Sequence, residues 1–336
     1  MFNRRSVLIG SGATAVIFGT LATAQPIVDL GARVARLDPG LDAVIARDAR
    51  ITRVATGFIF TEGPMWRGGR LWFADLRGDR MLAVTPEGKV SVLIDHVSGL
   101  QPWPLHADWG SNAMVPDRDG GVLMIQQGGR TIVRLDRQMN IHPFLSTYEG
   151  KKFNSPNDLV YAPDGSLWFT DPPFGLIGLD KSPLKELPFS GVFRYADGKL
   201  TAPITDLTLP NGIGFSPDGS TLYVSNYGPL MYVMAYDVGP AGALSNSRKL
   251  IDYPNPVGKG GPDGLKVDKA GNIWTTGPGG PRIITPGGKV LGQIILPQVD
   301  ANIAFADEGR TVYLTASTSI YRLQTKIPGE MPMYSS

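Results

Sequence analysis

The chain has 336 residues, 42% of them hydrophobic and 18% charged, with a formal net charge of +2. That is the balance of a soluble globular protein of one large domain or two ordinary ones, not of a disordered chain. Part of the positive excess sits in Arg4 and Arg5, and no basic stripe runs along the rest, so nucleic-acid binding has no footprint here. There is no cysteine, which excludes thiolate catalysis, thiolate metal sites and disulfides, and the three histidines (His96, His106 and His142) include no i, i+4 pair for a zinc helix.

At the N-terminus, Asn3-Arg4-Arg5-Ser6 precedes a weakly apolar run from Val7 to Leu21 that Gly10, Gly12 and Gly19 interrupt. Ala22-Thr23-Ala24 then supplies an A-x-A cleavage pattern with Gln25 as the new N-terminus. Residues 1–24 are therefore expected to be a twin-arginine-type export signal, on a route that carries folded proteins, with a periplasmic destination. The alternative is a single membrane anchor, for which the run is near the lower length limit. No other stretch approaches spanning length, so no stable membrane insertion is expected after signal removal. Residues 25–50 read as an N-terminal extension with one short helix at Asp38-Pro39-Gly40-Leu41, Val44 and Ile45, capped by Asp38.

From residue 51 the chain repeats itself. Gly (42 residues) and Pro (28 residues) are too dense for long helices and favour short strands joined by turns. A polar residue, an apolar strand, an Asp- or Gly-rich turn and a second apolar strand recur six times, beginning at Glu62, Asn112, Asn157, Asn211, Asp263 and Asn302. The turns include Gly68-Gly69, Asp119-Gly120, Pro163-Asp164-Gly165 and Pro217-Asp218-Gly219, which tolerate the positive φ of tight hairpins. Third strands follow, such as Thr131–Leu135 and Gly191–Tyr195, and fourth ones such as Val90–Ile94. Four strands at a period of roughly 40 to 55 residues is the arithmetic of a propeller blade. The prediction is an all-β, six-bladed β-propeller of four-stranded blades over residues 51–325, with a C-terminal tail at 326–336. Ile51–Ala55, which has no hairpin of its own, closes the ring as an outer strand of the sixth blade. Trp66, Trp72, Trp168 and Trp274 fall in hairpin strands and are assigned to the wedges between blades. A two-sheet sandwich is the alternative.

The first position of all six copies carries a side-chain oxygen, although Asn and Asp are depleted in strands. In a propeller these positions converge on the axis. Two carboxylates with several amide oxygens form a cage for one hard divalent cation: calcium is expected, with magnesium or manganese next and zinc less suited. The alternative is that these residues only shape the loop entering each strand.

Five motifs then carry a resemblance. Glu62-Gly63-Pro64-Met65-Trp66, Pro156-Asn157-Asp158-Leu159, Thr170 to Leu176 (Thr-Asp-Pro-Pro-Phe-Gly-Leu), Pro210-Asn211-Gly212-Ile213 and Pro262-Asp263-Gly264 together resemble the SMP-30/gluconolactonase family, over about residues 45–325. The resemblance implies a six-bladed propeller, one divalent metal in the central channel and hydrolysis of a sugar lactone. It implies Glu62, Asn211 and Asp263 as metal ligands, and Asn157 as a ligand or as a residue approaching metal and substrate. The second blade departs from the family: Gln126-Gln127-Gly128 stands where close members often carry Glu-His-Gly, and a long segment, Gln101 to Trp109, precedes Asn112. Asn112, Gln127, Asp171 and His106 are the expected substrate contacts. For Asp171 the alternative is a loop cap beside Pro172-Pro173, and for His106 a packed loop histidine. Asn302 is left as structural.

Lactone hydrolysis needs a polarised carbonyl, an activated water and a stabilised oxyanion. Asp263 is the candidate to take the water's proton as well as to bind metal; the alternative is a ligand role alone. There is no G-x-S-x-G elbow, Walker loop or G-x-G-x-x-G, so serine-nucleophile and nucleotide chemistry have no support. Two rival classes share the scaffold: another metal-dependent esterase or phosphotriesterase, and a non-catalytic ligand-binding propeller.

Overall fold

Six antiparallel sheets follow one another around a ring in the computed structural model, which describes residues 25–100 and 110–335. The first blade runs from its inner strand Thr61–Arg67 through Arg70–Asp75 and Arg80–Val84 to Val90–Asp95. The inner strands of the next five blades are Ser111–Pro116, Leu159–Tyr161, Pro210–Phe215, Leu265–Val267 and Asp300–Ala306. The ring closes as the sequence predicts: Thr52–Thr56 pairs antiparallel with Ser319–Gln324 as an outer strand of the sixth blade, Thr56 opposite Ser319. The first strand after the extension thus locks onto the last hairpin and leaves no open seam.

Each blade-to-blade wedge holds its own apolar cluster. Leu123, Phe169 and Phe193 join the second and third blades, and Trp168 packs edge-on to Phe215 between the third and fourth. Trp274 meets Phe305 edge-on between the fifth and sixth, and Trp66 stacks on Tyr313 across the closure. Trp168 and Trp274 are 1% and 0% exposed. At about 25 cal/mol per Å² of apolar surface, each such ring contributes roughly 3 kcal/mol or more of burial free energy. The twist of a blade splays neighbouring sheets outward, and the large rings fill that widening gap.

The extension differs from its prediction. It holds two extra edge strands, Ile27–Val28 on the sixth blade and Arg33–Arg36 on the fifth, so both of those sheets have five strands. The helix is a single turn, Leu41–Val44, and its N-cap is Gly40, not Asp38. The Asp38 carboxylate instead accepts from the Gly40 N–H at 2.8 Å and pairs with Lys289 at 2.5 Å, closing an Asx turn before the helix. Leu41 and Val44 are buried in the cluster between the fifth and sixth blades. At the other terminus, the Glu330 N–H donates to the Val267 carbonyl at 2.9 Å and Tyr334 packs edge-on to Tyr161. The tail therefore crosses one face of the ring from the fifth blade to the third. Among the described residues, no helix is long and apolar enough to cross a membrane.

Candidate functional site

The inner strands start irregularly, and the irregularity builds the site. Pairing shifts register between Glu62 and Met65, Ser111 and Met114, Pro210 and Ile213, and Asp300 and Asn302. Asn157 and Asp263 lie just ahead of their regular strands. A bulge re-aims the side chain it carries, and here it turns an oxygen-bearing side chain toward the axis. Glycine next to it lets neighbouring backbones close in. A Cβ on Gly212 would lie 2.6 Å from the Leu265 nitrogen and 2.8 Å from the Gly264 carbonyl carbon. The Gly212 N–H donates to the Asp263 carbonyl at 3.0 Å, and the Gly264 N–H to the Ala301 carbonyl at 2.8 Å, so adjacent blades bond directly around the axis.

At that end of the channel lies a cavity of about 260 Å³. Five of the six first-position residues line it: Glu62, Asn112, Asn157, Asn211 and Asp263. Gln127 is the hub of the amide side. Its Oε1 accepts from Asn112 Nδ2 at 2.7 Å and from Asn157 Nδ2 at 3.4 Å, which ties both amides by their nitrogens. Asn112 Oδ1 and Asn211 Oδ1 are buried with no hydrogen-bond partner among the described residues. Glu62 Oε2 accepts from the Gly63 N–H at 2.7 Å and from Asn302 Nδ2 at 3.1 Å. Asn302 thus stands behind Glu62 and orients it, and is not itself in the cavity wall. The Asp263 N–H is fixed by Thr276 Oγ1 at 2.6 Å.

Burial sets the electrostatics. It pushes the Glu62 carboxyl up to about 7, against its two hydrogen bonds. Asp263 is pushed well above the usual carboxylate range by burial first, then by the like charges of Glu62, Asp300 and Asp158; a hydrogen bond from Asn211 opposes this. These carboxyls resist ionising because burial removes their hydration and their like charges repel. The unpaired Asn211 oxygen and the Asn157 amide beside them complete an all-oxygen donor set that a hard divalent ion fits. No cluster of three or more Asp, Glu or His that could hold a metal occurs among the described residues, so the fit depends on the amides.

Two expected substrate contacts fare differently. Asp171 is outside the cavity: its oxygens accept from the Asn154 and Ser155 N–H groups, each at 2.7 Å. Fully buried and bonded to those two N–H groups, Asp171 is the loop cap and steadies the segment leading to Asn157. His106 lies outside the described residues. The cavity also holds residues that sequence reasoning missed. Arg77, whose guanidinium lies 4.9 Å from the Phe60 ring, comes from the turn after the second strand of the first blade. Phe174 and Tyr227 form an aromatic wall, 6.1 Å apart and edge-on. Asp300 enters from the sixth blade. Its signal in the sequence was an acidic residue two places before Asn302, a position outside the six-fold alignment.

A family model described as the SMP-30/gluconolactonase/LRE-like region matches residues 60–318. The gluconolactonase of Zymomonas mobilis is 35% identical over 338 aligned positions, covering 94% of this chain and 93% of that protein. The L-arabinolactonase of Azospirillum brasilense is 25% identical, covering 84% of this chain and 86% of that protein. Among solved structures, a gluconolactonase of Xanthomonas campestris superposes with a TM-score of 0.79 at 30% identity, covering 91% of this chain and 99% of that one.

Proposed function

This chain belongs to the SMP-30/gluconolactonase/LRE-like family, and on that premise we propose that its channel cavity binds one divalent cation and hydrolyses a sugar lactone there to the aldonic acid. It is a lactone-ester hydrolase. The observation that carries the cation is the buried, unpartnered Asn211 Oδ1 in the same cavity as Glu62 and Asp263. Glu62, Asn157, Asn211 and Asp263 would hold it, and calcium suits an all-oxygen set better than zinc, with manganese and magnesium between. Bound there, a divalent ion supplies Lewis-acid polarisation of the lactone carbonyl and charge stabilisation of the oxyanion.

The chain's own residues do the rest. Phe174 and Tyr227 offer flat apolar faces to the C–H surface of a sugar ring. Gln127 holds the Asn112 and Asn157 amides in one orientation, so Asn112 presents its oxygen to substrate. Asp263 accepts the proton of the attacking water as the water oxygen bonds to the carbonyl carbon. The ring C–O bond then breaks, and the leaving oxygen takes that proton back as the new hydroxyl. Asn302 and Gly63 keep Glu62 in place throughout. The neutral amide hub at Gln127 suits a neutral lactone. We also propose that residues 1–24, outside the described segment, direct export to the periplasm.

The test is hydrolysis by the purified chain beginning at Gln25, stopped with chelator and restored with calcium, zinc, manganese or magnesium in turn. Substrates are gluconolactone, xylonolactone and a phenyl ester. Chelator-sensitive lactonase activity that Asp263→Ala abolishes in a folded protein is the expected result. A folded, cation-loaded protein inert to every lactone overturns it, and cleavage of the phenyl ester alone assigns the chain to the esterase class.

A further inference from the structure

Asp300 is a buried carboxylate that the hydrolytic machinery does not use. It opens the inner strand of the sixth blade, is 4% exposed and lines the same cavity as Glu62 and Asp263. Its Oδ2 is buried with no hydrogen-bond partner among the described residues. A carboxylate left in that state is costly, by about 1–3 kcal/mol or more, and calls for an account.

A structural ion pair does not provide one. The cation nearest in the electrostatics of Asp300 is Arg282, yet the two form no ion pair among the described residues. Arg282 instead donates to the Pro278 carbonyl at 2.9 Å and lies over the Tyr253 ring at 4.8 Å. Membership of the cation cage does not provide one either. With Glu62 and Asp263 it would make three carboxylates, and no such metal-holding cluster exists among the described residues. The Gly277 N–H serves the carboxyl from the backbone side, and what remains for Oδ2 is the cavity itself. An ionised carboxylate only accepts hydrogen bonds, and the hydroxyls of a sugar lactone are donors. Tyr227 stands on the wall of the same cavity that Asp263 and Asp300 line. A lactone bound in this cavity with its carbonyl at Asp263 has Asp300 as a further buried acceptor for one of its hydroxyls.

We propose that Asp300 is a specificity-determining residue: it accepts a hydrogen bond from one ring or side-chain hydroxyl of the lactone and so selects polyhydroxylated substrates. The inference rests on the lactonase reading above. A site built to bond a substrate hydroxyl rejects the analogue that lacks it, because the buried acceptor is then left unpaired.

The experiment compares wild type, Asp300→Asn and Asp300→Ala on gluconolactone and on a set of lactones each missing one hydroxyl, with calcium affinity measured by calorimetry on the same proteins. Asp300→Ala raises KM for gluconolactone by about 10- to 100-fold and changes kcat by less than about threefold. For one deoxy-lactone, wild type suffers that same loss and Asp300→Ala adds none. Calcium affinity falls by no more than about tenfold, the loss of one neighbouring charge, and the lactones are compared at saturating calcium. Equal losses on every lactone at saturating calcium overturn the specificity role while leaving the lactonase reading intact. Wild type inert to every lactone overturns that reading and this inference with it. Asp300→Asn, nearly isosteric, keeps the comparison valid should the alanine variant misfold.

Discussion

Replacing Gly212 with alanine tests whether close approach of the inner strands builds the site. The added Cβ meets only backbone: the Leu265 nitrogen at 2.6 Å, the Gly264 carbonyl carbon at 2.8 Å and, closer still, the Asp263 carbonyl oxygen. Real Cβ contacts stay beyond 3.0 Å, and backbone cannot swing aside as a long side chain can. The fourth and fifth blades must therefore part by several tenths of an ångström or more. Overpacking of this kind costs about 1–3 kcal/mol, and the 3.0 Å bond from the Gly212 N–H to the Asp263 carbonyl adds about 1 kcal/mol if it is lost. The expected destabilisation is thus about 2–4 kcal/mol. Asn211 and Asp263 ride on the two strands being wedged apart, so calcium affinity should fall at least about tenfold. Urea unfolding and calcium calorimetry read the two effects. Gly287→Ala is the control, because its nearest contact is Thr285 Oγ1 at 3.9 Å. A Gly212→Ala protein with wild-type midpoint and wild-type calcium affinity would refute the argument that backbone proximity makes the cage.

In the chelated protein, Glu62 and Asp300 each titrate near 7 against ordinary values of 4.5 and 3.8, burial being the main cause. A raised folded-state value means the fold favours the neutral acid: that stabilisation is complete below the ordinary carboxylate range and is lost as pH rises through 7. The urea midpoint of the chelated protein should fall from pH 5 to pH 8, and calcium should reverse the trend; a chelated midpoint that rises over this range contradicts the burial argument. Trp274→Ala removes a fully buried ring whose Nε1 donates to Asp268 Oδ2 at 3.1 Å, and should cost about 3–5 kcal/mol in the same assay. Arg4→Lys with Arg5→Lys should leave uncleaved precursor in the cytoplasmic fraction, and normal export of the double variant would remove the twin-arginine proposal.

The ring was legible because its signal is repeated. Asp-Gly turns and apolar hairpins recur six times, and the ring-closing strand showed itself by lacking a hairpin partner; it is observed at Thr52–Thr56, one residue from its predicted bounds. Ile27–Val28 and Arg33–Arg36 were not legible. They are two and four residues long, mostly half-exposed or exposed, and join their sheets through backbone bonds that leave no pattern in side chains. The cavity lining was legible at five positions for the same reason as the blades: Glu62, Asn112, Asn157, Asn211 and Asp263 occupy equivalent places. Asn302 shares the alignment but not the cavity, since its amide is committed to Glu62 and its Oδ1 to the Ile303 N–H at 2.8 Å. Asp171 misled because proline neighbours mark a blade-end loop without saying which way a carboxylate faces.

Asn157 and Asp158 show why the proposed cation fits one end of the channel only. They are consecutive, yet Asn157 lines the cavity and Asp158 lines the space further along the inner strands, beside Asn302 and Glu330 of the tail. There Lys266 Nζ lies 3.6 Å from Asp158 Oδ2 and donates to the Leu265 carbonyl at 2.9 Å. The ammonium lowers the cost of ionising both Asp158 and Glu62 from below. A second cation at that level would meet a positive charge the chain already provides, and the tail covers the exit. Above Glu62, Asp263 has no such ammonium among the charges that set its ionisation, only other carboxyls. Lys266 thus neutralises one end of the acidic axis, and the proposed ion would do so at the other, where the aromatic wall, Arg77 and Asp300 also stand.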